Sequence, residues 1–185
     1  MAKRTAAPIS RRDFCNWACG AAVLAAAAPV SHADSKPAQM VRRPIPKGQG
    51  ESLPVIGMGT WNTFDVGSAA SERAPLLEVL RAFHLAGARV IDSSPMYGNA
   101  EAVTGDLVKQ LGRQQATFFA TKVWTSGRDK GLAQIEQSMR LLRTSRLDLL
   151  QIHNLVDWRI HVPTLRALQE QDKVRYLGIT HYTTA

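Results

Sequence analysis

The strongest constraint on this chain is a period. Short apolar runs, Ala88-Arg89-Val90-Ile91, Thr117-Phe118-Phe119-Ala120 and Leu147 to Ile152, recur about thirty residues apart, the length of one strand-plus-helix unit. They read as buried parallel strands with helices between them. At or just past the downstream end of each stands a polar residue: Asp92, Lys122 and His153. In a parallel α/β fold all strand C-termini lie on one face, so residues equivalent in the repeat converge there. A carboxylate, an amine and an imidazole brought together make a proton-handling site.

The same reading extends along the chain. Val41 to Pro46 and Leu53 to Gly59 flank the turn signal Lys47-Gly48-Gln49-Gly50-Glu51, which predicts a β-hairpin whose second limb runs on as the first core strand. Apolar periodicity predicts helices over 74–85, 101–111, 131–142 and 162–170, and a fifth core strand over 174–179. Five parallel strands suit a doubly wound sheet or part of a barrel. Gly57-Met58-Gly59 is only G-x-G: the third glycine of the dinucleotide fingerprint would fall at Asn62, and no helix opens directly after the strand. A partial (β/α)₈ barrel of TIM type is therefore expected over 45–185, with five βα units and with function at the strands' C-terminal ends.

The start of the chain is expected to lie outside that fold. Ser10-Arg11-Arg12-Asp13-Phe14 resembles the twin-arginine export motif, Ala18 to Val30 is apolar and alanine-rich, and Ser31-His32-Ala33 offers small residues for cleavage. Residues 1–33 read as a signal peptide and 34–44 as a linker, which implies export by the twin-arginine machinery to the periplasm. The apolar run is shorter than the roughly 20 residues a membrane span needs. Both cysteines, Cys15 and Cys19, fall inside the signal, so disulfide and thiol chemistry are excluded from the remainder. Without the signal's four bases (Lys3, Arg4, Arg11, Arg12) and one acid (Asp13) the formal net charge falls from +8 to +5, and the remaining charges are dispersed, which argues against nucleic acid as a partner.

Tyr97 lies in a loop broken by Pro95 and Gly98, five residues after Asp92, and completes a candidate set of four. A phenol is a weak acid near neutral pH, and an ammonium beside it favours the phenolate. Lys122 is the candidate for that ammonium and Asp92 for the group that aims it, while His153 would bond a substrate carbonyl or relay the proton. Taken singly, each has a plainer reading: Asp92 as a turn cap, Lys122 as a solvated strand end, His153 as a satisfied strand-end histidine, Tyr97 as a loop aromatic. Their joint occurrence at equivalent places is the signal. Zinc ligand spacing is lacking between His153 and His161, no G-x-S-x-G is present, and Glu101 stands where a Tyr-x-x-x-Lys pair would need its lysine.

With these residues in place the chain resembles the aldo/keto reductase family. Gly57-Met58-Gly59-Thr60-Trp61, Val90-Ile91-Asp92-Ser93-Ser94-Pro95-Met96-Tyr97-Gly98-Asn99-Ala100-Glu101, Ala120-Thr121-Lys122, Asp148 to Asn154 and Lys173 to Thr180 are similar to that family's motifs in order and spacing. The resemblance implies NADPH-dependent reduction of aldehydes or ketones, with Tyr97 as proton donor, Lys122 and Asp92 tuning it, and His153 orienting the carbonyl. It also implies that Gly59, Thr60, Trp61, Asp92, Asn154 and Thr180 contact NADP(H). Trp61, Trp124 and His153 would face the substrate, with core packing an equal alternative for Trp124. Where the family commonly has Ser-Asn after the fifth strand, this chain has Thr180-His181. The family's sixth to eighth strands are absent, which predicts open sheet edges, complete acid machinery and an incomplete grip on the cofactor. An inactive fragment and a non-catalytic NADPH-sensing barrel are the competing readings.

Overall fold

A computed structural model describes residues 40–46 and 50–182. The expected export signal over 1–33, residues 34–39 of the expected linker and the turn residues 47–49 lie outside the described residues. Strand β1 (Arg42–Pro44) pairs antiparallel with β2 (Ser52–Pro54) in a two-stranded sheet. β1 thus begins inside the stretch read as linker. The second limb does not run on as one strand. Val55 still bonds back to Val41, but Gly57–Gly59 forms a separate strand, β3, in the other sheet, and Val55 and Ile56 are exposed between them.

From β3 onward the chain alternates: α1 (Ala70–Leu85), β4 (Val90–Asp92), α2 (Ala100–Gln110), a short 3₁₀ turn (Gln114–Ala116), β5 (Phe118–Val123), α3 (Arg128–Leu141), β6 (Leu147–His153), α4 (Trp158–Glu170) and β7 (Val174–Thr180). The five core strands stand in sequence order, all parallel, with β3 and β7 at the edges. No helix opens directly after β3. Helices α1, α3 and α4 start three or four residues before the expected bounds, and α4 shows why. Pro163 reads from sequence as a first-turn proline, yet the helix begins upstream at Trp158, and the proline forgoes one backbone bond in the second turn.

Every residue of β5 is buried, which is why its sequence shows no in-out alternation. Alternate side chains still go to opposite faces. Phe119 and Val123 join Leu80, Val103, Leu107, Ile135, Ile152 and Leu165 in the apolar core, where each large side chain contributes about 1.5–3 kcal/mol. Lys122 points the other way, to the inner face. Gly105 lets α2 pass close to the end of α3: a Cβ there would lie 2.0 Å from the Leu141 carbonyl oxygen. On the helix side, Thr121 donates to Glu101 Oε1 (2.6 Å) and Ser138 to Glu101 Oε2 (3.0 Å), so one carboxyl braces α2, β5 and α3 together.

Glu101 is 1 % exposed, and burial raises its carboxyl above the ordinary range against the pull of those two donors and of Lys122. A carboxyl raised on folding contributes most at low pH and loses its contribution as pH climbs through the folded value. Glu101→Gln is therefore expected to gain stability relative to the parent chain between pH 4 and pH 8. Urea unfolding at the two pH values measures it, and a pH-independent difference would refute the assignment.

Candidate active site

The register of the sheet places the chemistry. Asp92 ends β4, Lys122 lies one turn of the pleat beyond Ala120, its neighbour across β5, and Gln151 on β6 stands beside Lys122. His153 follows two residues later on the same face of β6, paired with Thr180. Each step across the sheet thus climbs toward the strands' C-terminal ends.

Lys122 is 3 % exposed, and its ammonium is held by Asp92 Oδ2 at 2.7 Å and by the Ser93 carbonyl oxygen at 2.7 Å. The same Nζ lies 5.1 Å from the centroid of the Tyr97 ring, within cation–π range. Asp92 has a second partner that sequence reading missed. Gln151 Nε2 donates to its other oxygen at 2.9 Å, so the carboxylate is clamped from both sides. Strand alternation puts Gln151 on the face of His153, two residues on, but only the β5–β6 register brings it to Lys122 and Asp92.

His153 is buried, with Trp124 edge-on at 6.0 Å and Tyr182 at 6.3 Å between ring centroids. Its Nδ1 has no partner among the described residues. Burial, then the positive charge of Lys122, depress its basicity below the ordinary histidine value, with Asp92 opposing and His181 adding to the depression. The imidazole is therefore uncharged at neutral pH.

The expected cofactor and substrate residues divide. Gly59 ends β3 with open space where a Cβ would project. Trp61 is 66 % exposed, 6.5 Å from Tyr97, and Trp124 is 44 % exposed, which removes the core-packing alternative for it. Asn154 bonds Thr180 through its main chain (2.8 Å) and shares a 3.2 Å contact with His181 Nδ1. Thr60 is different: fully buried, its hydroxyl donates within the protein, to Ser93 Oγ at 2.9 Å, and braces β3 on β4. A cavity of about 820 Å³ lies elsewhere, at the strands' N-terminal end, lined by Arg89, Lys173, Arg175, Glu51 and Asp148. Its ion pairs tie the hairpin to the sheet, and none of the four candidate catalytic residues reaches it.

The parallel, partial barrel places the chain in the fold of a family that related sequences identify. Residues 55–185 match the model of the aldo/keto reductase family, and the chain belongs to that family. It is 34 % identical over 136 residues to the methylglyoxal reductase YeaE of Escherichia coli (strain K12), covering 70 % of this chain and 46 % of that protein. An aldo-keto reductase of Mycobacterium sp. (strain JLS) is also 34 % identical, with 72 % of this chain and 48 % of the relative covered. Among solved structures, an aldo-keto reductase from Klebsiella pneumoniae in complex with NADPH superposes with a TM-score of 0.66 at 28 % identity, over 78 % of this chain and 51 % of that one. The chain spans about half the length of the curated relatives it matches.

The His153 environment has a consequence for stability. A histidine whose basicity is depressed on folding contributes fully above about pH 6.5, its unfolded value, and loses that contribution as pH falls below it. His84, also depressed mainly by burial, acts in the same sense. The two histidines' contribution should therefore decline from pH 7 to pH 5, against the opposite trend of Glu101, and the unfolding free energy of His153→Asn should fall less, or rise more, over that range than that of the parent chain. Equal slopes in chemical denaturation series of the two proteins would contradict the placement of His153.

Proposed function

We propose that this chain carries the proton-delivery half of an NADP(H)-dependent carbonyl reductase. One observation supports the reading above the others: a buried ammonium, held by Asp92 and the Ser93 carbonyl oxygen, sits against the Tyr97 ring. The open space at Gly59, the exposed indole of Trp61 and the strand-end position of Asn154 and Thr180 are compatible with the nicotinamide end of NADP(H). Bound NADPH supplies the hydride.

The residues of this chain supply the rest. Tyr97 is the proton donor to the carbonyl oxygen, and Lys122 stabilises the phenolate that results. Asp92 keeps Lys122 charged and in place. His153, uncharged, has a hydrogen available to bond the carbonyl oxygen and fix its direction, and the apolar rings of Trp61 and Trp124 flank the approach. A small carbonyl compound is the substrate class. The relatives named methylglyoxal reductase make methylglyoxal the first compound to test.

We further propose export through the twin-arginine route to the periplasm, supported by Ser10 to Phe14 and the alanine-rich run after it. Among the described residues no helix is long and apolar enough to cross a membrane. Replacing Arg11 and Arg12 together by lysine should retain the protein in the cytoplasmic fraction of the expressing cell. An unchanged periplasmic share on immunoblotting would reject that route.

For the chemistry, the assay is oxidation of NADPH in the presence of methylglyoxal by a chain extended to full barrel length. Tyr97→Phe should lower kcat by about 10²–10⁴-fold, the range for loss of a general acid, with little change in NADPH affinity by fluorescence titration. Retained turnover would sink the proton-donor role. Lys122→Met should lower the rate and alter the pH profile, and an unaltered profile would count against Lys122 as the tuning group.

A further inference from the structure

The loop that follows β5 is held from three directions. It carries Trp124 and runs from there to Gly127, where α3 begins. The Trp124 N–H donates to Gln134 Oε1 at 2.7 Å, the Gly127 N–H donates to Asp157 Oδ2 at 2.7 Å, and the Thr125 carbonyl oxygen accepts from His161 Nε2 at 2.7 Å. Two of these three bonds come from one turn of one helix. Asp157 is the N-cap of α4 and His161 lies four residues on, so their side chains share a face and their own backbones are joined, His161 N–H to Asp157 carbonyl at 3.1 Å.

Three further features accompany this clamp. Asp157 adopts a left-handed conformation (φ 46°), unusual for a residue other than glycine, and this turns its carboxylate toward Gly127. His161 is completely buried, and its Nδ1 has no partner among the described residues, so the ring is placed for the single bond that Nε2 makes. Gly131 leaves room for the ring: a Cβ there would lie 2.6 Å from His161 Cε1 and 2.9 Å from Nδ1. An alanine at 131 and the imidazole cannot both be accommodated without movement.

We propose that His161 and Asp157 are positioning residues, which through the main chain of 125–127 hold Trp124 edge-on to His153 and so set the wall of the carbonyl pocket. The inference rests on the reading of Trp124 and His153 as substrate-facing residues, but the geometry it asserts can be tested without cofactor or substrate. The Trp124 side chain is nearly half exposed, and the ring contact that it makes among the described residues is with His153. A loop freed at Thr125 and Gly127 would let the indole leave His153.

The test is fluorine NMR of the 185-residue chain labelled with 5-fluorotryptophan, with the Trp124 resonance assigned by Trp124→Phe. His161→Leu should move or broaden the Trp124 resonance by more than its linewidth and leave that of Trp61 in place. His161→Gln, whose amide nitrogen reaches the point that Nε2 occupies, should restore it. An unmoved Trp124 resonance in a folded His161→Leu variant would overturn the proposal, as would failure of His161→Gln to restore it, since a role in stability alone lowers Tm and leaves the resonance where it was. Should His161→Leu not fold, Asp157→Ala gives the same readout, with Asp157→Asn as its restoring partner and an unmoved resonance again overturning the idea. Because NADPH and carbonyl are absent from the measurement, loss of the proposed function by other evidence would not alter its outcome.

Discussion

One ion pair, Lys122 to Asp92, joins the strands that build the candidate site. The ammonium of β5 is bonded to both the side chain and the main chain at the end of β4, and Gln151 closes the arrangement from β6. A buried ammonium without its carboxylate is costly, on the order of 3–5 kcal/mol for a fully buried pair and less here because Asp92 remains more than a third exposed. That partial exposure matters for function as well. The pair is dry on the lysine side, which faces the Tyr97 ring, and wet on the aspartate side, where water lowers the penalty of holding charge.

The two ends of the sheet have separate tasks. At the strands' N-terminal end, Arg175 joins Asp148 and Glu51, and Tyr176 donates to Glu51 at 2.8 Å, so the charges there lock the β1–β2 hairpin onto β6 and β7. At the C-terminal end Trp61 and Trp124 are open, and His153 Nδ1 has no partner among the described residues. Helix-side bracing connects the two, because Glu101 holds Thr121, the residue next to Lys122, against α2 and α3.

Much of this was legible in the sequence, for physical reasons that also explain the gaps. Asp92, Lys122 and His153 could be found because a buried strand is apolar until its end, so a polar residue there stands out. Gln151 could not be found that way: it lies inside the apolar run Leu147 to Ile152, and its partner is fifty-nine positions away in sequence. Only the β5–β6 register shows that it faces Lys122. Thr60 was expected at the cofactor, and the burial of its hydroxyl against Ser93 depends on the β3–β4 pairing, which one strand's sequence does not contain. The helix starts were misplaced because capping here is irregular: Asp157 and Gly127 are favoured N-cap residue types, but both precede their helices with positive φ and neither helix has a side-chain cap bond. The clamp of Asp157 and His161 on 125–127 was invisible for the same reason.

The central proposal is that the part of Asp92 in proton transfer, as distinct from any contact with NADP(H), runs through Lys122. A double-mutant cycle on the NADPH-dependent reduction of methylglyoxal tests this most directly, with Asp92→Asn, Lys122→Met and both together. The expected result is that the double variant is no slower than Lys122→Met alone, because the lysine through which Asp92 acts is already gone. Losses in kcat that multiply, each variant contributing its full factor, would contradict the account and give Asp92 a separate role.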